Sequence, residues 1–149
     1  MQSYLSKVFN EHQKIIFLGI TVILISILLF FRNTLFESSL LLKEFGKSSI
    51  DPEVAFLNDK PTYLEFYAEW CEVCQEMASM TSEIKNEFQT NINFVFLNVD
   101  NPKWDKYIKK YNVNGIPQIN LFDANSNLKD TFIGLQNEDS LKDSILKLN

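Results

Sequence analysis

The chain has 149 residues, with 14 Lys and Arg against 19 Asp and Glu, which gives a net charge of −5. This length fits one domain or at most two, and the acidic balance excludes nucleic-acid binding by charge. Hydrophobic residues make up 46% of the chain, which excludes disorder as its dominant state. The single histidine, His12, precedes the predicted folded domain, which excludes metal sites with several His ligands and His-dependent nucleophilic catalysis there.

The first predicted element is an apolar helix. Residues 15–31 carry no charge, and as a helix they span about 26 Å, slightly less than the roughly 30 Å hydrocarbon core. Lys14 and Arg32 flank this run and can reach the two membrane surfaces. No small-residue cleavage site follows it, so we interpret residues 15–32 as an uncleaved, lipid-contacting anchor after an N-terminal flank at 1–14. A cleaved signal peptide and a buried core helix are the alternatives.

Basic residues do not fix the orientation of this anchor. Two lysines precede it and three basic residues follow it closely: Lys7 and Lys14, then Arg32, Lys43 and Lys47. From Asp51 onward the net charge is −7, so we expect that part to stand off anionic headgroups.

Residues 33–50 are predicted to connect the anchor to a domain at 51–149. Leu41, Leu42 and Phe45 have helical spacing, and Gly46 is a plausible helix stop. The segment is either an interfacial helix or stalk, or a short helix that packs on the following domain.

Helical and strand patterns alternate from Asp51 to Asn149, in the order α-β-α-β-α-β-β-α. Strands are predicted at 62–67, 92–99, 118–122 and 128–133, and helices at 51–58, 72–88, 102–111 and 137–148. The alternation predicts an α/β domain.

The two cysteines, Cys71 and Cys74, lie where a predicted strand passes into a helix. The helix N-terminus stabilises a thiolate at Cys71, and Cys74 is one turn along, where its sulfur can reach back to close a disulfide. This arrangement suits thiol–disulfide exchange. Zinc and iron–sulfur sites need further ligands, Gln75 excludes c-type haem attachment, and binding of Cu(I) is a weaker alternative. We predict no metal site.

Several motifs along about 100 residues, from Ile50 to Asn149, agree in order and spacing with a known family. W-C-x-x-C follows a strand, N-V-D ends the next strand, and G-I-P precedes a hairpin. The chain therefore resembles the thioredoxin fold, a central mixed sheet flanked by helices, here preceded by one N-terminal transmembrane helix. FYAEWCEVC and LNVDNPKW further resemble the membrane-anchored, TxlA-type thioredoxin-like proteins of cyanobacterial and chloroplast thylakoids.

The resemblance implies roles for individual residues. Cys71 would attack the substrate and Cys74 would resolve the mixed disulfide, while Trp70 would pack beside the Cys71–Cys74 disulfide and shape the docking surface. The Ile116–Pro117 bond would be cis and would place the Ile116 backbone opposite the cysteines, where substrate strands pair. The alternatives are a partly buried aromatic without function at Trp70 and a trans proline that ends a loop.

Glu65 occupies the position of a buried acid that thioredoxins have six residues before the first cysteine. Tyr63, Glu65 and Tyr67 share one face of the strand, and burial would raise the pKa of Glu65 and let it accept the proton of Cys74. The alternative is an exposed carboxylate on an edge strand.

The sequence departs from ordinary thioredoxins in two ways. Phe96 stands where a lysine commonly accompanies the buried acid, and Glu69 and Glu72 place negative charge near Cys71. That charge should raise the pKa of the Cys71 thiol and favour the disulfide, which gives a more reducing couple.

The function predicted from the resemblance is a membrane-anchored protein-disulfide reductase that needs no dissociable cofactor. It would act on the thylakoid lumenal or periplasmic side, receive electrons from a CcdA-type membrane protein, and keep apocytochromes reduced for cytochrome assembly. A disulfide oxidase or isomerase in an exported compartment is one alternative. A tethered binding or assembly module, which would keep its function without Cys71 and Cys74, is another.

Overall fold

The computed structural model describes the backbone of residues 2–148 and their side chains except those of 2–12, 31 and 33–36. His12 and most of the predicted N-terminal flank therefore lie outside the described side chains. The chain divides into two compact units, Met1–Glu37 and Ser38–Asn149.

A long first helix, α1, runs from Gln2 to Ser48. Within the first unit its segment Gln13–Phe30 has the length and composition of a membrane span, and none of that segment is buried in the protein. The hydroxyls of Thr21 and Ser26 donate to the carbonyls of Leu18 and Val22, so neither needs a partner outside the helix. The predicted apolar helix at 15–32 is thus present and is a candidate membrane span.

The second unit has the predicted order of elements. Three strand predictions are confirmed to the residue, and the remaining strand is shorter by one residue at each end. The strands are β1 (Thr62–Tyr67), β2 (Asn93–Asn98), β3 (Gln118–Phe122) and β4 (Leu128–Ile133). The helices after α1 are α2 (Pro52–Ala55), α3 (Glu72–Phe88), α4 (Asp105–Lys110) and α5 (Glu138–Leu146), with a 3-10 turn (Pro102–Trp104) before α4.

The four strands form one mixed sheet in the order β2-β1-β3-β4. β1 is parallel to β2 and antiparallel to β3, and β4 is antiparallel to β3. β1 is therefore an interior strand, and all six of its residues are buried. Because successive side chains of a strand point to opposite faces, β1 feeds two cores.

One core contains Leu64 and Phe66 from β1 together with residues of β2 and α4. The other contains Tyr63 and Tyr67 from β1, both cysteines, and residues of α3 and α5. Aromatic side chains fill much of this second core, as in the tilted pair Tyr63–Phe94 at 5.1 Å between ring centroids. The second core is the one that reaches the cysteine pair.

The last part of α1 belongs to this second core. Leu42 is fully buried and Phe45 is 3% exposed, with its ring stacked on Phe96 at 4.5 Å. Of the two alternatives for the connector, the structure supports the helix that packs on the domain. The compact unit accordingly begins at Ser38, before the predicted domain start at 51.

Gly46 does not end this helix, contrary to the sequence prediction, since α1 continues to Ser48. A Cβ at position 46 would lie 2.5 Å from the Tyr67 hydroxyl oxygen. Glycine at this position allows the close approach of Tyr67 to α1 and does not end the helix.

The segment after α1 meets the free side of strand β2. The Phe96 N–H donates to Ser49 Oγ at 2.8 Å, and Lys85 of α3 donates to Ser48 Oγ at 2.8 Å. The Lys85 ammonium also lies 5.7 Å from the centre of the Phe45 ring. These contacts fix the end of α1 against the sheet.

Truncation of Leu42 tests whether α1 is part of the folded core. We expect Leu42→Ala to lower the free energy of unfolding by about 2–5 kcal/mol, because it leaves a cavity among fully buried side chains. Leu40 lies on the same helix and is 46% exposed, so Leu40→Ala should cost less than about 1 kcal/mol. Denaturant unfolding of the full chain in detergent micelles measures both. Equal losses would show that Leu42 is not a core residue.

Candidate active site

Cys71 caps the N-terminus of α3. Its backbone is extended, with φ −77° and ψ 111°, and its Sγ accepts the N–H of Cys74 at 3.2 Å. The two cysteines form a disulfide, with their Cα atoms 5.2 Å apart. Cys71 is 6% exposed and Cys74 is fully buried, so a partner can reach only the first sulfur.

The helix end favours negative charge on Cys71. The same N–H of Cys74 that Sγ accepts here would stabilise a thiolate, in addition to the partial positive charge of the α3 N-terminus. The predicted opposition by the negative charges of Glu69 and Glu72 stays a prediction. Glu69 has a counter-ion that the sequence analysis missed, because Lys43 Nζ lies 3.7 Å from its carboxylate. Both side chains of that pair are about half exposed, so water screens most of the interaction.

The Ile116–Pro117 peptide bond is cis, as predicted. The carbonyl oxygen of Ile116 lies 3.8 Å from Cys71 Sγ, which brings the two segments together across 45 residues of sequence. The Pro117 carbonyl accepts the N–H of Gly134 at 2.8 Å, which ties this turn to the end of β4. The backbone of Ile116 therefore faces the reactive sulfur.

Trp70 is 66% exposed, so it is not the partly buried aromatic of the alternative interpretation. Its indole Nε1 donates to Asp100 Oδ2 at 2.8 Å, and this bond orients the ring. Trp70 directly precedes Cys71 in the sequence. Asp100 is the last residue of the N-V-D motif. The sequence prediction used that motif for the family resemblance and gave its aspartate no role.

Glu65 is buried, with 1% of its surface exposed, because β1 is an interior strand. The alternative of an exposed edge-strand carboxylate is therefore wrong. Its neighbours across the sheet are Phe96 on β2 and Ile119 on β3, neither of which carries charge. Burial raises the pKa of Glu65 to about 7, and a hydrogen bond from Tyr63 opposes part of that rise.

The hydroxyl of Tyr63 donates to Glu65 Oε2 at 2.8 Å. Sequence analysis placed both residues on one strand face but missed this bond, for which the i, i+2 spacing was the signal. Tyr63 and Tyr67 pack in the same core cluster as Cys74. Glu65 thus lies on the face of β1 that is directed to the cysteine layer.

No group of three or more His, Cys, Asp and Glu residues in the described part of the chain is arranged to hold a metal ion. The site consists of two sulfurs at a helix N-terminus, a facing backbone carbonyl, an exposed indole and a buried carboxylic acid. This arrangement can carry out thiol–disulfide exchange.

The model of the thioredoxin family matches residues 43–147. The chain belongs to the thioredoxin family. It holds the C-x-x-C pair of the family's thiol:disulfide oxidoreductases at disulfide distance. The match begins within α1, in agreement with the burial of Phe45.

Two relatives match the chloroplast and the cyanobacterial parts of the predicted resemblance. The chain is 38% identical to the thioredoxin-like protein HCF164, chloroplastic, of Arabidopsis thaliana over 113 residues, which are 76% of this chain and 43% of that protein. It is 50% identical over 66 residues, 44% of this chain, to the thiol:disulfide interchange protein TxlA of Synechococcus elongatus, of which it covers 35%. The resemblance to TxlA-type proteins is confirmed. The chain spans less than half the length of these two relatives.

Thioredoxins and a solved structure complete the comparison. The thioredoxin of Rickettsia prowazekii is 40% identical over 91 residues, which cover 60% of this chain and 83% of that protein. The crystal structure of the germline-specific thioredoxin Deadhead of Drosophila melanogaster aligns with a TM-score of 0.55 and 28% identity, over 65% of this chain and 87% of that one. The predicted thioredoxin fold is confirmed.

Proposed function

We propose that this protein is a membrane-anchored protein-disulfide reductase. The observation that carries the proposal is the Cys71–Cys74 pair at the N-terminus of α3, with the Ile116 carbonyl 3.8 Å from Cys71 Sγ. In this proposal residues 15–32 cross the membrane, the last part of α1 continues into the domain and packs in its core, and residues 51–149 carry the chemistry.

The proposed reaction begins with the reduced pair. The Cys71 thiolate attacks one sulfur of a substrate disulfide, and the other substrate sulfur leaves as a thiolate and takes up a proton. Cys74 then gives its proton to Glu65 and attacks Cys71 Sγ. The bond between Cys71 and the substrate breaks, and the second substrate sulfur leaves and is protonated. Two electrons pass to the substrate, and another dithiol must reduce Cys71–Cys74 before the next cycle.

Substrate docking is assigned to the surface around Cys71. An extended substrate segment would pair with the backbone at Ile116, next to Pro117, as a strand adds to a sheet edge. Trp70 would cover the substrate on the other side, since its ring is mostly exposed while Asp100 holds its indole N–H. Substrates of this kind are extended protein segments that contain a disulfide.

The physiological setting is proposed from the TxlA-type resemblance. The domain would lie on the thylakoid lumenal or periplasmic side, receive electrons from a CcdA-type membrane protein, and reduce apocytochromes before haem attachment. The candidate span at the N-terminus and the chloroplast protein HCF164 among the relatives support this setting. Protease protection in sealed vesicles of known orientation tests the side, because residues 51–149 should be cleaved only when the lumenal face is accessible.

A redox titration tests the direction of electron flow. We expect a two-electron midpoint near or below about −250 mV for the full chain in detergent micelles, equilibrated with thiol–disulfide buffers and read by alkylation of free thiols. A midpoint of about −120 to −180 mV would contradict a reductase and identify an oxidase or isomerase. The double variant C71S/C74S has no thiol, so it should bind no label at any potential.

A further inference from the structure

We propose that Tyr63 is a positioning residue for Glu65: its hydroxyl holds Oε2 of the buried carboxylate and sets the pH at which that group accepts the proton of Cys74. This inference rests on the proposed function of Glu65 as the base of the resolution step. The hydrogen bond of 2.8 Å between two almost fully buried side chains carries it.

The surroundings of Glu65 leave Tyr63 as its polar partner. Across the sheet it faces Phe96 and Ile119, and the core above it contains Cys74 and Met77 of α3. The groups there that can titrate are the phenols of Tyr63 and Tyr67 and, once the disulfide is reduced, the Cys74 thiol. The end of α1 and helix α5 contribute apolar residues to this core, namely Leu42, Phe45, Leu141 and Ile145.

Lys85 is a cation that lies against the ring of Phe96, the neighbour of Glu65 on β2. Its ammonium lies 5.9 Å from the centre of the Phe96 ring and donates to Ser48. Burial raises the pKa of Glu65, and the hydrogen bond from Tyr63 lowers it in part. The hydrogen bond from Tyr63 is therefore the interaction that favours the ionised carboxylate.

The remaining hydroxyl near Tyr63 belongs to Thr81 of α3, which is 1% exposed. Its hydroxyl has no hydrogen-bond partner within the described residues. Burial raises the pKa of Tyr63 well above its ordinary value, and Thr81 opposes a small part of that rise. The hydrogen bond that the Tyr63 hydroxyl makes is therefore the one that it donates to Glu65.

The Tyr63 hydroxyl is hydrogen-bonded to Oε2 of Glu65. The proton of Cys74 would therefore pass to the other carboxylate oxygen, Oε1. Without the phenol hydroxyl, burial would be the remaining influence on the pKa of Glu65, and burial favours the protonated acid. A protonated Glu65 cannot act as a base. Tyr63→Phe should therefore reduce the fraction of active base at neutral pH without removing the base.

The test is the titration of Glu65 in the full-length protein in detergent micelles, followed by NMR of the ¹³C-labelled carboxyl. Tyr63→Phe should raise the midpoint from about 7 by about one pH unit or more, because the bond to the charged form is lost. Tyr67→Phe is the matched control, since Tyr67 lies on the same strand face, is 2% exposed and makes no hydrogen bond to Glu65 among the described contacts. An unchanged midpoint in Tyr63→Phe would overturn the proposal.

Kinetics give a second readout that a purely structural role would not produce. A rise of one unit lowers the ionised fraction at pH 7 from about one half to about one tenth, so resolution should slow about fivefold at pH 7. It should return to the wild-type rate near pH 9. A defect that is constant with pH would overturn the proposal.

One measurement on the wild-type protein does not depend on the folding of the variant. The ¹³Cζ signal of Tyr63 should shift with the same midpoint as the Glu65 carboxyl, and that of Tyr67 should shift less. Absence of a shift at Tyr63 would contradict the hydrogen bond. The titration needs no exchange activity, so failure of the reductase proposal and failure of this inference give different results.

Discussion

Replacement of Cys74 with serine is expected to stop the protein at the mixed disulfide. In C74S the Cys71 sulfur can still attack a substrate disulfide, but no second thiol is present to release the product. Cys74 is fully buried and its N–H donates to Cys71 Sγ, so serine fits the same place with little change in structure. Turnover should fall to the uncatalysed level, while a covalent adduct accumulates to one substrate per protein molecule.

The measurement is non-reducing electrophoresis and intact-mass analysis of the full chain after incubation with a peptide disulfide. C71S is the matched control, because it leaves the buried thiol, which substrates cannot reach, and should form no adduct. Equal adduct formation in both variants would show that Cys74 is also accessible and would remove the assigned order of attack. Retention of physiological function by the double variant would favour a binding or assembly module.

Replacement of Glu65 with glutamine is expected to slow the resolution step by about 10²-fold or more at pH 8, a common contribution of a general base. The amide keeps the size of the side chain and can still accept the hydrogen bond of Tyr63, but it cannot take a proton. The wild-type rate should rise with pH through a midpoint near 7, and this rise should be absent in Glu65→Gln. Stopped-flow measurement of substrate thiol release separates this step from the first attack.

The same substitution should change how stability depends on pH. The folded-state pKa of about 7 exceeds the ordinary value of 4.5, so the folded protein binds the proton more tightly than the unfolded chain. The stabilising effect of the protonated acid is complete below about pH 4.5 and is lost as pH rises through 7. At pH 8 the ionised carboxylate should lower the free energy of unfolding by about 3 kcal/mol. Glu65→Gln should therefore be more stable than wild type by about that amount at pH 8.

Exposed Glu72 provides the control for the stability measurement. Glu72→Gln removes one charge from the first turn of α3 and should change the free energy of unfolding by less than about 0.5 kcal/mol. If wild type and Glu65→Gln lose stability in parallel between pH 5 and 8, ionisation of Glu65 is not the source of the loss. If the resolution rates also agree, Glu65 has no part in the reaction.

Much of the domain could be predicted because its local signals agree with its tertiary structure. The strand at 118–122 and the helix at 72–88 were predicted to the residue, since apolar periodicity and the turn residues around them gave the same bounds. Burial of Glu65 followed once helices were expected on both faces of β1. The redox role of the cysteine pair could be predicted from its place between a strand and a helix.

The parts that escaped prediction depend on contacts between distant segments. Gly46 has the sequence signature of a helix end, and only the approach of Tyr67 shows why glycine stands inside α1. Leu42 could face lipid, solvent or core by periodicity alone. The partners of Trp70 and Glu69, which are Asp100 and Lys43, lie 30 and 26 residues away in the sequence, and no local pattern joins them.

The contact between Ser49 and strand β2 has a consequence for self-association. A free strand edge offers unpaired N–H groups to a second copy of the chain. Ser49 Oγ accepts the hydrogen bond of the Phe96 N–H on β2, one of the two outer strands. The other outer strand, β4, carries Lys129 and Asp130 at a register irregularity, which hinders regular pairing. Each outer strand therefore carries a feature that hinders pairing with a second copy of the chain.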